Sequence, residues 1–248
     1  MVDYPLGERF APQRWQDLVG RDSIIERLQE LRRVAHAEDR CIESLLFFGD
    51  TGLGKASLAR VLANEAGIAL KTREVQAIET GADIAGVLTA IERGDLLLIE
   101  EIHRMSASAQ SVFASAIQKF SIDLQIDSGR YARSVPLVLP QFTLIGTTND
   151  PSALTEQLQD AFLVKCRFAQ LTIDEIAQIL GNQASKWDLG LDKEAALRIA
   201  EHSGGKPAVA YRLLDWVARY CHATQRVKVN EEATIAALWV LGYVEANA

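Results

Sequence analysis

The stretch Ser44 to Ser57 most narrows the folds open to this chain. Leu45-Leu46-Phe47-Phe48 is an apolar run suited to a buried strand, Gly49, Gly52 and Gly54 space a turn, and Ala56 to Ala66 repeats with helical period. A strand, a glycine turn and a helix in that order make a phosphate cradle. The glycines permit backbone angles that aim successive N–H groups inward, the helix adds its positive end, and Lys55 adds an ammonium. Gly49-Asp50-Thr51-Gly52-Leu53-Gly54-Lys55 is thus a Walker A loop, G-x-x-x-x-G-K, but Ala56 stands where a Ser or Thr hydroxyl holds Mg²⁺. Ser57 is one residue on, ~100° around the helix, and out of place for that task.

The rest of the first two-thirds alternates strand and helix. Residues 1–20 read as irregular, and Ser23-Ile24-Ile25-Glu26 reads as a capping box opening a helix to about Ala37. Gly67 ends the loop's helix, Ile68 to Val75 reads as a strand, and Ile84, Val87, Leu88 and Ile91 mark a helix closed by Arg93-Gly94. Strand, helix, strand, helix implies a parallel sheet. Asp95 to Ile99 is the next strand, delivering Glu100 and Glu101 at its C-terminal end, where an open α/β sheet faces its ligand. Taken alone, a strand ending in solvated acids explains both residues. After a Walker A loop they read as a Walker B pair, Glu100 a metal ligand one methylene longer than the usual Asp and Glu101 the group that polarises the attacking water.

A helix over 106–120, capped by Ser106, precedes a hairpin at about 121–140 that turns at Asp127-Ser128-Gly129-Arg130. The strand from Gln141 to Thr148 ends at Asn149, which is placed to reach a γ-phosphate and the attacking water. Asn149-Asp150-Pro151 reads equally well as a plain turn. From Thr172 only helices follow: one opened by the capping box Thr172-Ile173-Asp174-Glu175, one over Leu191–His202, one from Pro207 to about Cys221 and one over Asn230–Leu241. The expected architecture is an α/β nucleotide-binding core over 1–170, carrying the hairpin, and an all-helical lid over 171–248. Val19 and Gly20, which close the N-terminal segment, join the expected nucleotide contacts.

The 248 residues are 48% hydrophobic, enough for a real core, and the net charge of −7 argues against a DNA-binding surface across the whole domain. Cys41, Cys166 and Cys221 show no metal-ligand spacing with the four histidines and read as reduced thiols. With no apolar leader and no apolar run of ~18 residues, a cytoplasmic location without membrane contact is the expectation.

Assembled, these residues resemble the AAA+ ATPases and, among them, the RuvB family of Holliday-junction branch-migration motors. Gly52-Leu53-Gly54-Lys55, Gly94-Asp95 through Ile102-His103-Arg104, Phe142-Thr143-Leu144-Ile145-Gly146, Ala132-Arg133-Ser134 and Tyr211-Arg212-Leu213-Leu214 carry the resemblance. It implies a five-stranded parallel sheet between helices, a helical lid, ATP or ADP at a subunit interface, and assembly with other AAA+ subunits of the same or another kind. The hairpin matches the one by which that family meets its partner RuvA. The chain ends at Ala248, where the family continues into a winged-helix domain, which removes the strongest reason to expect direct DNA binding.

The departures from the family fall on catalytic positions. Besides Ala56 and Glu100, the family's Leu-Arg-Asp-Arg-Phe reads Leu158-Gln159-Asp160-Ala161-Phe162, and its Gly-Thr-Pro-Arg reads Gly205-Lys206-Pro207-Ala208. The first change removes the arginine finger, a group contributing roughly 10³–10⁵ in rate, and the second removes the sensor 2 arginine. Three readings follow, in order of preference. The first is an ATP-binding subunit with weakened Mg²⁺ dependence and impaired hydrolysis that regulates or scaffolds a recombination or repair assembly. The second is an active motor in which Glu101 and Asn149 hydrolyse ATP and Arg167 serves the neighbouring subunit. The third is a nucleotide-free interaction module.

Overall fold

The computed structural model describes residues 11–78, 80–126 and 133–245. The chain forms two compact units, one of residues 23–49 and 58–168, the other of residues 1–22, 50–57 and 169–248.

The first unit is built on a five-stranded parallel sheet. Its strands are β1 (Leu45–Phe48), β2 (Leu70–Glu74), β3 (Leu96–Glu100), β6 (Thr143–Thr148) and β7 (Val164–Arg167), in the order β2-β3-β6-β1-β7. The three central strands are the most buried, as strands covered on both faces must be: every residue of β6 is buried, threonines included, and so are Leu96 to Ile99 and Leu45 to Phe47. Between them run α2 (Lys55–Ala66), α3 (Gly81–Thr89), α4 (Ala107–Lys119) and α5 (Glu156–Ala161), with α1 (Asp22–Ala37) ahead of β1. Leu46, Leu97, Ile99 and Leu144 point to one face, where Leu88 of α3, Phe113 and Ile117 of α4 and Leu158 of α5 join them in a single buried cluster. The β1-to-β2 crossover runs the other way across the sheet, so a right-handed connection puts α2 on the opposite face.

Several elements differ from their sequence-based outlines. α1 starts at Asp22, so Ser23 is inside the helix rather than its cap; an acid in the first turn suits the helix dipole. β2 is shorter than Ile68–Val75, because Val75 opens a 3-10 turn. α3 ends at Thr89, whose hydroxyl donates back to the Ala85 carbonyl, and Ile91 is buried beyond it in the turn into β3. Its cap is Thr80, reciprocally bonded with Asp83. The short α5 and β7 went unread in the sequence, and Trp15–Asp17 is a 3-10 turn in the segment expected to be irregular. The hairpin pairs β4 (Ser121–Ile126) with β5 (Arg133–Val138), antiparallel, from Ser121 opposite Val138 to Ile126 opposite Arg133. Its expected turn at 127–130, and Ala132, lie outside the described residues.

In the second unit α6 (Ile173–Lys186), α7 (Lys193–Glu201), α8 (Pro207–Ala223) and α9 (Glu231–Val240) bury Ile176, Leu180, Ile199, Leu214, Val217 and Leu238 against one another. α6 opens on the expected capping box, with Thr172 accepting from the Glu175 amide and Glu175 accepting from the Thr172 amide. α7 is shorter than Leu191–His202, because Leu191 bridges to Val229 as extended backbone and Asp192 takes the cap position. Among the described residues no helix is long and apolar enough to cross a membrane, and all three cysteines are free thiols.

Candidate functional site

The second unit includes the loop residues 50–54 and residues 55–57, which open the 12-residue helix α2; the rest of α2 belongs to the first unit. Gly52 and Gly54 have φ of +85° and +86°, in the left-handed region that glycine enters without a Cβ penalty. A Cβ on Gly54 would meet nothing within 4 Å, whereas one on Gly52 would lie 3.1 Å from Ala208 Cβ. Lys55 is 7% exposed, and its Nζ donates to the Asp50 carbonyl at 2.8 Å. Leu53 is buried and its carbonyl accepts from Arg21 Nη2 at 3.3 Å, while the Ala208 amide donates to the Gly52 carbonyl at 3.2 Å. Thr51 is exposed, and Ala56 and Ser57 are half-buried. Gly20, next to the half-buried Val19, has φ of +69°, and a Cβ there would lie 2.3 Å from Glu175 Oε1. Val19, Gly20, the loop and the start of α8 thus share one unit. Asp50 Oδ2 stands 3.2 Å from Lys206 Nζ, and the Lys206 ammonium holds the Asp50 carboxyl below its ordinary range.

The first unit holds the strand-end residues. Gly49 follows β1 with φ of +139°, and a Cβ there would meet the Phe168 carbonyl oxygen at 2.4 Å. Glu100 closes β3 half-buried, and Glu101 follows at φ +53°. Among the described residues Asp39, Phe120, Asp188 and Gln225 share that conformation. Each of those comes just after a helix, where a left-handed residue is an ordinary terminator; Glu101 comes after a strand. A left-handed non-glycine residue costs about 1–2 kcal/mol, and such strain collects at functional sites.

The Glu101 amide donates to Thr147 Oγ1 at 3.3 Å. His103 lies 3.7 Å from Glu101 Oε2 through Nε2 and 3.0 Å from the Thr148 hydroxyl through Nδ1. That hydroxyl also accepts from the Asp150 amide, and Asn149, between the two, is exposed. The sequence reading gave His103 no role. Its position two residues after Glu101 was visible, but its bond to β6 depends on β3 and β6 being sheet neighbours.

The residues fit a nucleotide better than they fit a metal. The glycine loop, the start of α2 and Lys55 suit a phosphate. Toward Mg²⁺, Ala56 offers no oxygen from its side chain, and Glu100, the metal ligand expected from the sequence, lies in the other unit at the end of β3. Gln159 turns its amide onto the Leu154 carbonyl, and Arg167 is exposed on β7.

This strand order, with a phosphate loop after β1 and a helical unit following the sheet, is that of the AAA+ class of P-loop proteins. Residues 10–168 match the model of the Holliday junction DNA helicase RuvB P-loop domain, and residues 171–243 match the RuvB AAA lid domain. The chain belongs to the RuvB family. It is 36% identical over 233 residues to the Holliday junction branch migration complex subunit RuvB of Campylobacter hominis, covering 94% of this chain and 68% of that protein. The Holliday junction branch migration motor RuvB of Thermotoga maritima superposes with a TM-score of 0.82 at 27% identity, over 93% of this chain and 72% of that one. The ORC1 protein of Aeropyrum pernix, solved with DNA, shares the fold alone: TM-score 0.68, 17% identity, 94% of this chain and 67% of that one.

Proposed function

We propose that this chain is an ATP-binding subunit of a RuvB-type assembly acting on branched DNA, with its own hydrolysis slowed by the missing groups. The observation behind it is the glycine loop, with Gly52 and Gly54 left-handed, running into α2 at Lys55. Its cradle acts through backbone N–H groups, which substitution of neighbouring side chains leaves in place. Residues 49–57 with Val19 and Gly20 hold the nucleotide, Glu101 and Asn149 serve whatever turnover remains, and Glu100 is a weak Mg²⁺ ligand. The functional division falls near residue 170, between a core bearing the hairpin and the lid. Partners are other AAA+ subunits, with a RuvA-like protein at the hairpin.

A second reading, the fully active branch-migration motor, has its own support. Family membership speaks for it more directly than for a silenced subunit, and so does Glu101, strained and set beside His103. ATP turnover by the purified protein, alone and with a junction DNA, separates the two.

Titration with a fluorescent ATP analogue tests the shared premise. Saturable binding is expected with little dependence on Mg²⁺, weakened about 10- to 100-fold by Lys55→Ala, since a charge-assisted bond to phosphate is worth about 1.5–3 kcal/mol. Ala56→Thr is expected to increase the Mg²⁺ dependence. No binding up to millimolar nucleotide refutes both readings.

A further inference from the structure

A phosphate loop gains nothing from a carboxylate, yet Asp50 is the second residue of this one. Apart from Lys55 it is the sole charged residue between Gly49 and Ser57. Its Oδ2 faces Lys206 Nζ at 3.2 Å and, more distantly, Gln170 Nε2 at 3.5 Å. Lys206 is the cap residue of α8, followed by Pro207 at the first helical position, and its amide donates to the Ser203 carbonyl. Two residues on, the Ala208 amide donates to the Gly52 carbonyl, and a Cβ on Gly52 would lie 3.1 Å from Ala208 Cβ. The backbone on both sides of Lys206 is therefore fastened, on one side within its own turn and on the other to the loop itself. An exposed ion pair usually contributes little because two long side chains must be ordered to make it. Here the tethered backbone and the short Asp side chain reduce that cost.

We propose that Lys206 is a positioning residue for the nucleotide phosphates, acting by neutralising Asp50 so that the loop keeps a net positive face. The proposal rests on the reading that the loop binds nucleotide. Lys55, Lys206 and Asp50 together leave one positive charge. Lys206→Ala removes it, Asp50→Asn adds one, and the two changes combined restore the original balance while deleting the lysine. Direct donation from Lys206 to a phosphate predicts the opposite for the combined variant, which would bind no better than Lys206→Ala.

The experiment is a titration of the full chain with a fluorescent ATP analogue, for the unaltered protein, Lys55→Ala, Lys206→Ala, Lys206→Arg, Asp50→Asn and the Asp50→Asn, Lys206→Ala pair. At low salt, where the Debye length is long, Lys206→Ala is expected to weaken binding about tenfold and Asp50→Asn to tighten it about threefold. Lys206→Arg and the combined variant should both fall within about threefold of the unaltered protein, and the Lys206→Ala loss should shrink with added salt. Thermal melting checks folding, and Lys206→Met, which keeps the aliphatic stem, replaces the alanine variant if that one fails to fold.

Full affinity in Lys206→Ala, or a combined variant as weak as Lys206→Ala, overturns the proposal while Lys55→Ala still reports a working loop. Binding that ignores Lys55→Ala, or no binding at all, overturns the loop reading and this proposal together.

Discussion

The glycine loop and the β3–β6 edge handle charge by different means. Around Asp50 to Ser57 positive potential comes largely from the backbone, through left-handed glycines and the start of α2, with Lys55 and Lys206 added. At the C-terminal ends of β3 and β6 single side chains take over: His103 links the Glu101 carboxylate to the Thr148 hydroxyl, and the proposed turnover and metal roles rest on Glu101 and Glu100. Backbone donors survive most substitutions, whereas a missing hydroxyl or arginine removes its function outright. On the function proposed above, the departures at Ala56, Gln159, Ala161 and Ala208 would therefore bear on turnover more than on affinity.

Glu101→Gln gives the sharpest test of that difference. In whatever turnover the chain sustains, it should lower the rate about 10²–10³-fold, the worth of a positioned general base, while the affinity for ATP stays within about twofold. Equal losses in both would erase the distinction between the regions. Gly49→Ala probes the residue between β1 and the loop. With φ at +139° and the Phe168 carbonyl 2.4 Å from the new methyl, it should destabilise the protein by about 3 kcal/mol in chemical denaturation. A near-neutral result would mean that the backbone there relaxes freely.

Thr172→Ala removes a cap in the lid and should cost about 1 kcal/mol without altering turnover. The smallest effect is expected at Asp17. Burial pushes its carboxyl up, but the Gln13 and Arg14 amides and the Lys186 ammonium outweigh that and hold it below the ordinary value. A depressed folded pKa stabilises above the unfolded value of about 4 and is lost as pH falls through the folded one. The deficit of Asp17→Asn, under about 1 kcal/mol for so exposed an ion pair, should therefore shrink between pH 7 and pH 3. A deficit that persists at pH 3 would assign it to packing.

Local signals complete within a few residues were mostly readable, although the box at Ser23 lies inside α1 instead of capping it. The loop, the Ser106 and Thr172 caps and the apolar β3 all carry theirs in one stretch. β7 was missed because its four residues alternate buried and exposed, leaving only Val164 and Cys166 as apolar markers between Leu163 and Phe168. The capping box at Thr80 was legible as Thr-x-x-Asp and was overlooked in favour of the apolar positions after it.

By itself the sequence determined the class of fold, the phosphate loop and the two strand-end acids, because propensity, period and glycine placement act over short spans of chain. Only the tertiary structure decided the order β2-β3-β6-β1-β7, the contact of His103 with Thr148 and the pairing of Asp50 with Lys206. Those depend on which distant segments become neighbours. That is set by packing apolar faces together, and no local pattern encodes it.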